Sequence, residues 1–107
     1  MALPDTQTYV ASSSLAHFFG DQAQWAVNTR AALSTAFVTH LGDIVENIDQ
    51  SDQQWTYAST YMATLDNNNL PNNLALGNHD MSTSGVAAKF DQYFSVSRYS
   101  GFNWYGG

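Results

Sequence analysis

Cysteine is absent from all 107 positions of this chain. That excludes disulfides, a thiolate nucleophile and any Cys-ligated zinc or iron–sulfur centre. Charge is scarce as well: Asp, Glu, Lys and Arg make up 11% of residues, against roughly 25% in ordinary soluble domains. Polar surface must come mostly from Ser, Thr, Asn and Gln. Positive charge is rarest of all, since only Arg30, Lys89 and Arg98 oppose nine acids, for a net charge of −6. Three cations cannot form the basic face on which nucleic-acid phosphates dock, so no DNA or RNA partner is expected. No apolar run approaches the roughly 20 residues of a membrane span, and no membrane partner is expected either. Met1 to Pro4 show neither the basic stretch nor the apolar core of a signal peptide.

What is present reads as a globular chain, 44% hydrophobic and 14% aromatic, of at most one domain. The run 36–41, Ala-Phe-Val-Thr-His-Leu, is short, apolar and β-rich, and Gly42-Asp43 stops it; it reads as a buried strand entering a loop. Leu74-Ala75-Leu76 followed by Gly77-Asn78 repeats the arrangement, and Ala2 to Asp5 reads as the stub of a third strand. Helical segments lie between. The stretch 22–33 places Trp25, Thr29, Ala32 and Leu33 on one face. Ser51 and Gln54 have the spacing of a capping box, with Gln54 reaching back to Ser51. Behind them Trp55, Ala58, Met62 and Leu65 follow helical spacing. The Asn-rich stretch 66–73, with Pro71, reads as the turn that ends this helix. A short helix is expected over 86–94, and the aromatic tail 95–107 is expected to join the core rather than form a substrate lip. His17, Lys89 and Arg98 are expected at the solvated surface.

Strand, helix, strand, helix, strand is the α/β pattern of a parallel sheet with packed helices. Ligands in such sheets gather beyond the carboxyl ends of the strands. Asp5, Asp43 and Asn78 are all expected there, as oxygen ligands far apart in sequence that converge on one edge. Taken singly, each is an ordinary turn or cap residue; oxygen and imidazole ligands converging there suit Mn, Fe or Zn better than a soft thiophilic metal. The sharpest signal is Gly77-Asn78-His79-Asp80. Gly77 permits a tight exit from the strand, and Asn78 offers an amide oxygen. His79 titrates near neutrality and is able to protonate a leaving group. Asp80 is placed to hold its ring. His40, alternating with Leu41 in a strand, reads as packing, or as a support for the residues that would hold the cation, rather than as a ligand.

Gly-Asn-His-Asp after a buried strand resembles a signature of the calcineurin-like metallophosphoesterases. Gly42-Asp43-Ile44-Val45-Glu46-Asn47 resembles that family's second motif, Gly-Asp-x-x-acid. Leu3-Pro4-Asp5-Thr6-Gln7 resembles its first, Asp-x-His, with Gln7 where His is usual; a secreted bacterial and fungal branch is similar here. The resemblance covers nearly the whole chain. It implies that residues 1–107 are the N-terminal portion of such a domain, the first half of an αββα sandwich. It further implies hydrolysis of phosphomonoesters or phosphodiesters by a metal-bound hydroxide at a site of two metal ions (Mn, Fe or Zn), and an extracellular location. Asp5 would bind the first metal. Gln7 would replace a His ligand there or sit beside the metal without binding it. Asp43 would bridge both metals and Asn78 would bind the second. His79 would protonate the leaving oxygen, and Asp80 would orient His79.

The family also carries a lone His and a Gly-His-x-His downstream, and neither occurs here. The site is therefore expected to be partial, with weak metal binding at best. An uncovered sheet face is expected to favour self-association. A non-catalytic binding or structural module on the same scaffold is the alternative reading.

Overall fold

A computed structural model describes residues 1–48 and 52–106. The strands are β1 (Ala2–Leu3), β2 (Val38–His40) and β3 (Asn72–Leu74). They form one parallel sheet in the order β1-β2-β3, with Leu3 beside His40 and His40 beside Leu74. Backbone bonds continue past the strand ends, from Leu41 N–H to the Leu3 carbonyl (3.1 Å) and from Ala75 N–H to the His40 carbonyl (3.0 Å). The helices are α1 (Gln7–Val10), α2 (His17–Thr29), α3 (Asp52–Asn67), α4 (Ala88–Tyr93) and α5 (Val96–Tyr99). The chain is thus mixed α/β, with a small parallel sheet and packed helices, as the alternation of segments predicts.

Parallel crossovers are right-handed, so two crossovers that add strands in one direction fall on the same side of the sheet. Accordingly α2 packs on α3. Phe19, Ala23 and Ala26 of α2 meet Trp55, Ala58, Met62 and Leu65 of α3 in one fully buried cluster with Val38. The other side stays bare: Phe37 and Leu41, alternating with buried Val38 and His40, are 42% and 63% exposed.

Several expectations need correction. The inward face of α2 is Phe19-Ala23-Ala26, whereas Trp25 and Leu33 are each 54% exposed. The third strand begins two residues early, because buried Asn72 donates its amide to Asp66 (2.9 Å) and to the Leu70 carbonyl (3.0 Å). Those bonds make a strand of what reads as turn. Ser51, the expected helix cap, lies outside the described residues. The expected bond from Gln54 back to Ser51 lies outside them too; Gln54 Oε1 accepts the N–H groups of Glu46 (2.9 Å) and Asn47 (3.2 Å).

The aromatic tail joins the core as expected. Phe94 and Tyr99 are buried, and Phe102, Trp104 and Tyr105 pack beside them. Arg98, expected at the surface, is instead a clamp. Its guanidinium bonds Asp66 (2.9 Å), Ser59 Oγ (2.8 Å) and the Ser59 and Tyr93 carbonyls, tying α5 to α3. It also lies over the Phe94 ring at 4.9 Å. His17 is exposed as expected, and Lys89 pairs with Asp52.

Candidate functional site

Three loops leave the carboxyl ends of the strands, and they interlock. Gly42 has φ +98°, and a Cβ there would stand 2.9 Å from the Gly77 nitrogen. A Cβ on Gly77 would stand 2.0 Å from Asp43 Oδ1 and 2.3 Å from the Asp43 nitrogen. Both glycines are therefore required by the close approach of the two strand exits. Between them Asp43 adopts φ +48°, a left-handed conformation that costs a non-glycine residue about 1–2 kcal/mol. Its bonds hold it there. The Asp43 carbonyl accepts the N–H groups of Thr6 (3.2 Å) and Gln7 (3.0 Å), and Asp43 Oδ1 accepts the His79 N–H (3.0 Å). One residue thus joins the loops after β1, β2 and β3.

Asp80 makes a second tie. It is fully buried, and its Oδ1 accepts the N–H groups of Ile44 (2.8 Å) and Val45 (3.1 Å) while its Oδ2 accepts that of Gly77 (2.8 Å). Burial raises its pKa, and the three backbone N–H groups oppose that rise. This corrects the role expected of Asp80. Its carboxylate holds two loops together, and the His79 ring has a different partner. His79 Nδ1 lies 2.8 Å from the Glu46 carbonyl. A carbonyl only accepts, so Nδ1 carries the proton. That bond is the largest cause of a raised His79 pKa; desolvation opposes it, and Asp43, Glu46 and Asp5 add to it.

His40 makes the third tie and is packing, as expected. Its Nδ1 accepts the Gly42 N–H (3.2 Å). Nε2 then carries the proton and donates to Thr6 Oγ1 (3.0 Å), which donates to the Ile44 carbonyl (3.1 Å). Burial lowers the His40 pKa to about 4, so the ring is neutral at neutral pH.

The candidate ligands divide by environment. Asp5 is exposed, and its Oδ1 accepts the Gln7 N–H (2.9 Å). Asp43 is half-buried, and Asn78 is exposed at the start of a 3-10 turn (Asn78–Asp80). Gln7 Oε1 is buried without a hydrogen-bond partner. Among the described residues no group of three or more His, Asp or Glu is assembled to hold a metal ion. The donors at this edge are instead two carboxylates, Asp5 and Asp43, and two amides, Gln7 and Asn78. Two clefts of about 310 and 530 Å³ open elsewhere, and neither includes Asp5, Asp43, Asn78 or His79. The Glu46 carbonyl and Thr6 escape the sequence reading, because a backbone acceptor leaves no mark in residue type and a lone Thr none in pattern; Gln54 stands out there only as a helix cap.

No protein-family model matches the chain. No solved structure matches it. It is similar to Uncharacterized protein YvnB of Bacillus subtilis (strain 168), with 35% identity over 107 residues covering 98% of this chain. The chain spans 8% of that protein's length, so the similar stretch is a small part of a much longer polypeptide.

Proposed function

We propose that this chain carries part of a calcineurin-like, metal-dependent phosphoesterase site, and that its sheet is the first of the two in an αββα sandwich. The observation that carries the reading is Asp43, which receives the His79 N–H on its carboxylate and the Thr6 and Gln7 N–H groups on its carbonyl. The three motif-bearing loops are thereby drawn to one edge. The exposed Phe37 and Leu41 form the kind of face that a second sheet, or a second copy, would cover.

The donor chemistry fits a hard or borderline cation. Asp5, Asp43, Asn78 and the orphaned Gln7 Oε1 are oxygen donors, and of Mn, Fe and Zn such a set suits Mn best, since Fe and Zn favour imidazole ligands. When bound, two such ions would supply positive charge to the phosphoryl oxygens and activate water. That charge matters in a chain of net charge −6, which otherwise repels a phosphate ester. His79 serves as the proton donor. Glu46 holds Nδ1–H and raises the His79 pKa, which favours the protonated ring and leaves Nε2–H for the departing oxygen. Substrate is a phosphomonoester or phosphodiester.

The test is hydrolysis of an aryl phosphate monoester and diester with added Mn²⁺, beside Asp43→Ala. Turnover that needs metal and is lost in the variant supports the reading. Equal turnover in Asp43→Ala sinks it. One observation favours a second reading, a non-catalytic module: no three-membered His/Asp/Glu group exists among the described residues. A folded chain without turnover that melts at the same temperature with and without Mn²⁺ supports that alternative.

A further inference from the structure

The geometry points to Gln54 as a positioning residue for His79, acting through the peptide that holds its imidazole. This rests on the reading of His79 as proton donor. The links are continuous. Gln54 Oε1, in the first turn of α3, accepts the Glu46 N–H at 2.9 Å and the Asn47 N–H at 3.2 Å. The Glu46 carbonyl accepts His79 Nδ1–H at 2.8 Å. One amide oxygen thus fixes the peptide units on both sides of Glu46. The Asn47 N–H belongs to the same peptide plane as the Glu46 carbonyl, so holding that N–H sets the direction in which the carbonyl points.

The consequence for the ring follows from its two nitrogens. A neutral imidazole carries its proton on Nδ1 or Nε2, and the partner of one nitrogen decides the state of the other. A Glu46 carbonyl held in place selects Nδ1–H. It also fixes the ring plane, and so where Nε2 faces. Without Gln54 the Glu46–Asn47 peptide loses the bonds that set its direction, and the selection and aim of His79 weaken. The loop itself keeps a second anchor, because Trp55 Nε1–H donates to the Ile48 carbonyl at 3.3 Å and Trp55 is fully buried. Removing the Gln54 oxygen therefore disturbs the aim of one carbonyl more than the fold.

Gln54→Met keeps length and helix-forming character without the acceptor, and Gln54→Glu restores an oxygen at the same place. The readout is the ¹⁵N spectrum of the His79 ring in the metal-free chain, at a pH where the imidazole is neutral. The Nδ1–H form should dominate in the parent, give way to a mixture in Gln54→Met, and return in Gln54→Glu. An unchanged Nδ1–H signature in folded Gln54→Met overturns the inference, as does a Gln54→Glu spectrum that matches Gln54→Met. If Gln54→Met does not fold, Gln54→Asn withdraws the oxygen by one methylene and is read by the same criteria. Because neither metal nor substrate is present, a lack of phosphoesterase activity leaves this result untouched. A failure here likewise leaves the phosphoesterase reading to its own assay.

Discussion

Acidification from pH 7.5 to 4 should weaken the fold through His40 in particular. In the unfolded chain this imidazole titrates near its ordinary value of 6.5, whereas burial holds it at about 4 in the folded chain. At pH 7.5 both states are neutral and the group contributes no difference. Between about 6.5 and 4 the unfolded state binds a proton that the folded state refuses, so stability falls as pH falls. Each unit of that interval is worth about 1.4 kcal/mol, which gives about 3 kcal/mol in all. A domain of this size has about 5–15 kcal/mol to lose. The loss has a structural path, because Nδ1 accepts the Gly42 N–H. A protonated Nδ1 cannot accept, and the turn that carries Asp43 loses its tie to the strand. The assay is urea unfolding at half-unit pH steps for the parent and His40→Gln. All other titratable groups are common to both proteins and cancel in the comparison. The parent should lose about 3 kcal/mol more than the variant. Parallel stability curves would refute the argument.

Gly77→Ala should lower stability by about 1–3 kcal/mol or more, since the new Cβ must displace Asp43; thermal melting checks this, and an unchanged midpoint contradicts the packing. Asp80→Asn replaces one carboxylate oxygen by an amide donor facing either the Gly77 N–H or the Ile44 and Val45 N–H pair. It should cost about 1–3 kcal/mol for each N–H left unpaired. Backbone hydrogen exchange should speed up at those residues and stay slow in α2. Arg98→Met leaves Asp66 with its carboxylate mostly buried and, among the described residues, Asn72 as its remaining side-chain partner. Loss of a buried partner costs about 3–5 kcal/mol, which denaturant unfolding measures directly.

Parts of this architecture were legible because local pattern and tertiary context agree. The run through Val38 and His40 is apolar and β-rich, and it is the central strand. The spacing of Trp55, Ala58, Met62 and Leu65 marks the buried stripe of α3. The inward face of α2 was misread because Ala23 and Ala26 carry little hydrophobic weight beside Trp25, which points outward. The start of β3 was hidden because asparagine reads as turn unless its amide finds buried partners, as Asn72 does in Asp66 and Leu70. The role of Asp80 was not legible either. Its Ile44 and Val45 partners are backbone groups of a loop distant in sequence, and any residue would supply them. The loops that converge on Asp43 were anticipated from their positions after strands, which topology alone dictates.

A cation site made by those loops is open to direct test. Sub-stoichiometric Mn²⁺ should be added to the ¹⁵N-labelled chain and to Asp43→Ala, with loss of backbone amide signal read residue by residue. Broadening should centre on Gln7, Asp43, Asn78 and His79, and disappear in the variant while the rest of the spectrum is retained. Broadening centred on other acids such as Asp21 or Asp91, or equal broadening in parent and variant, would contradict it.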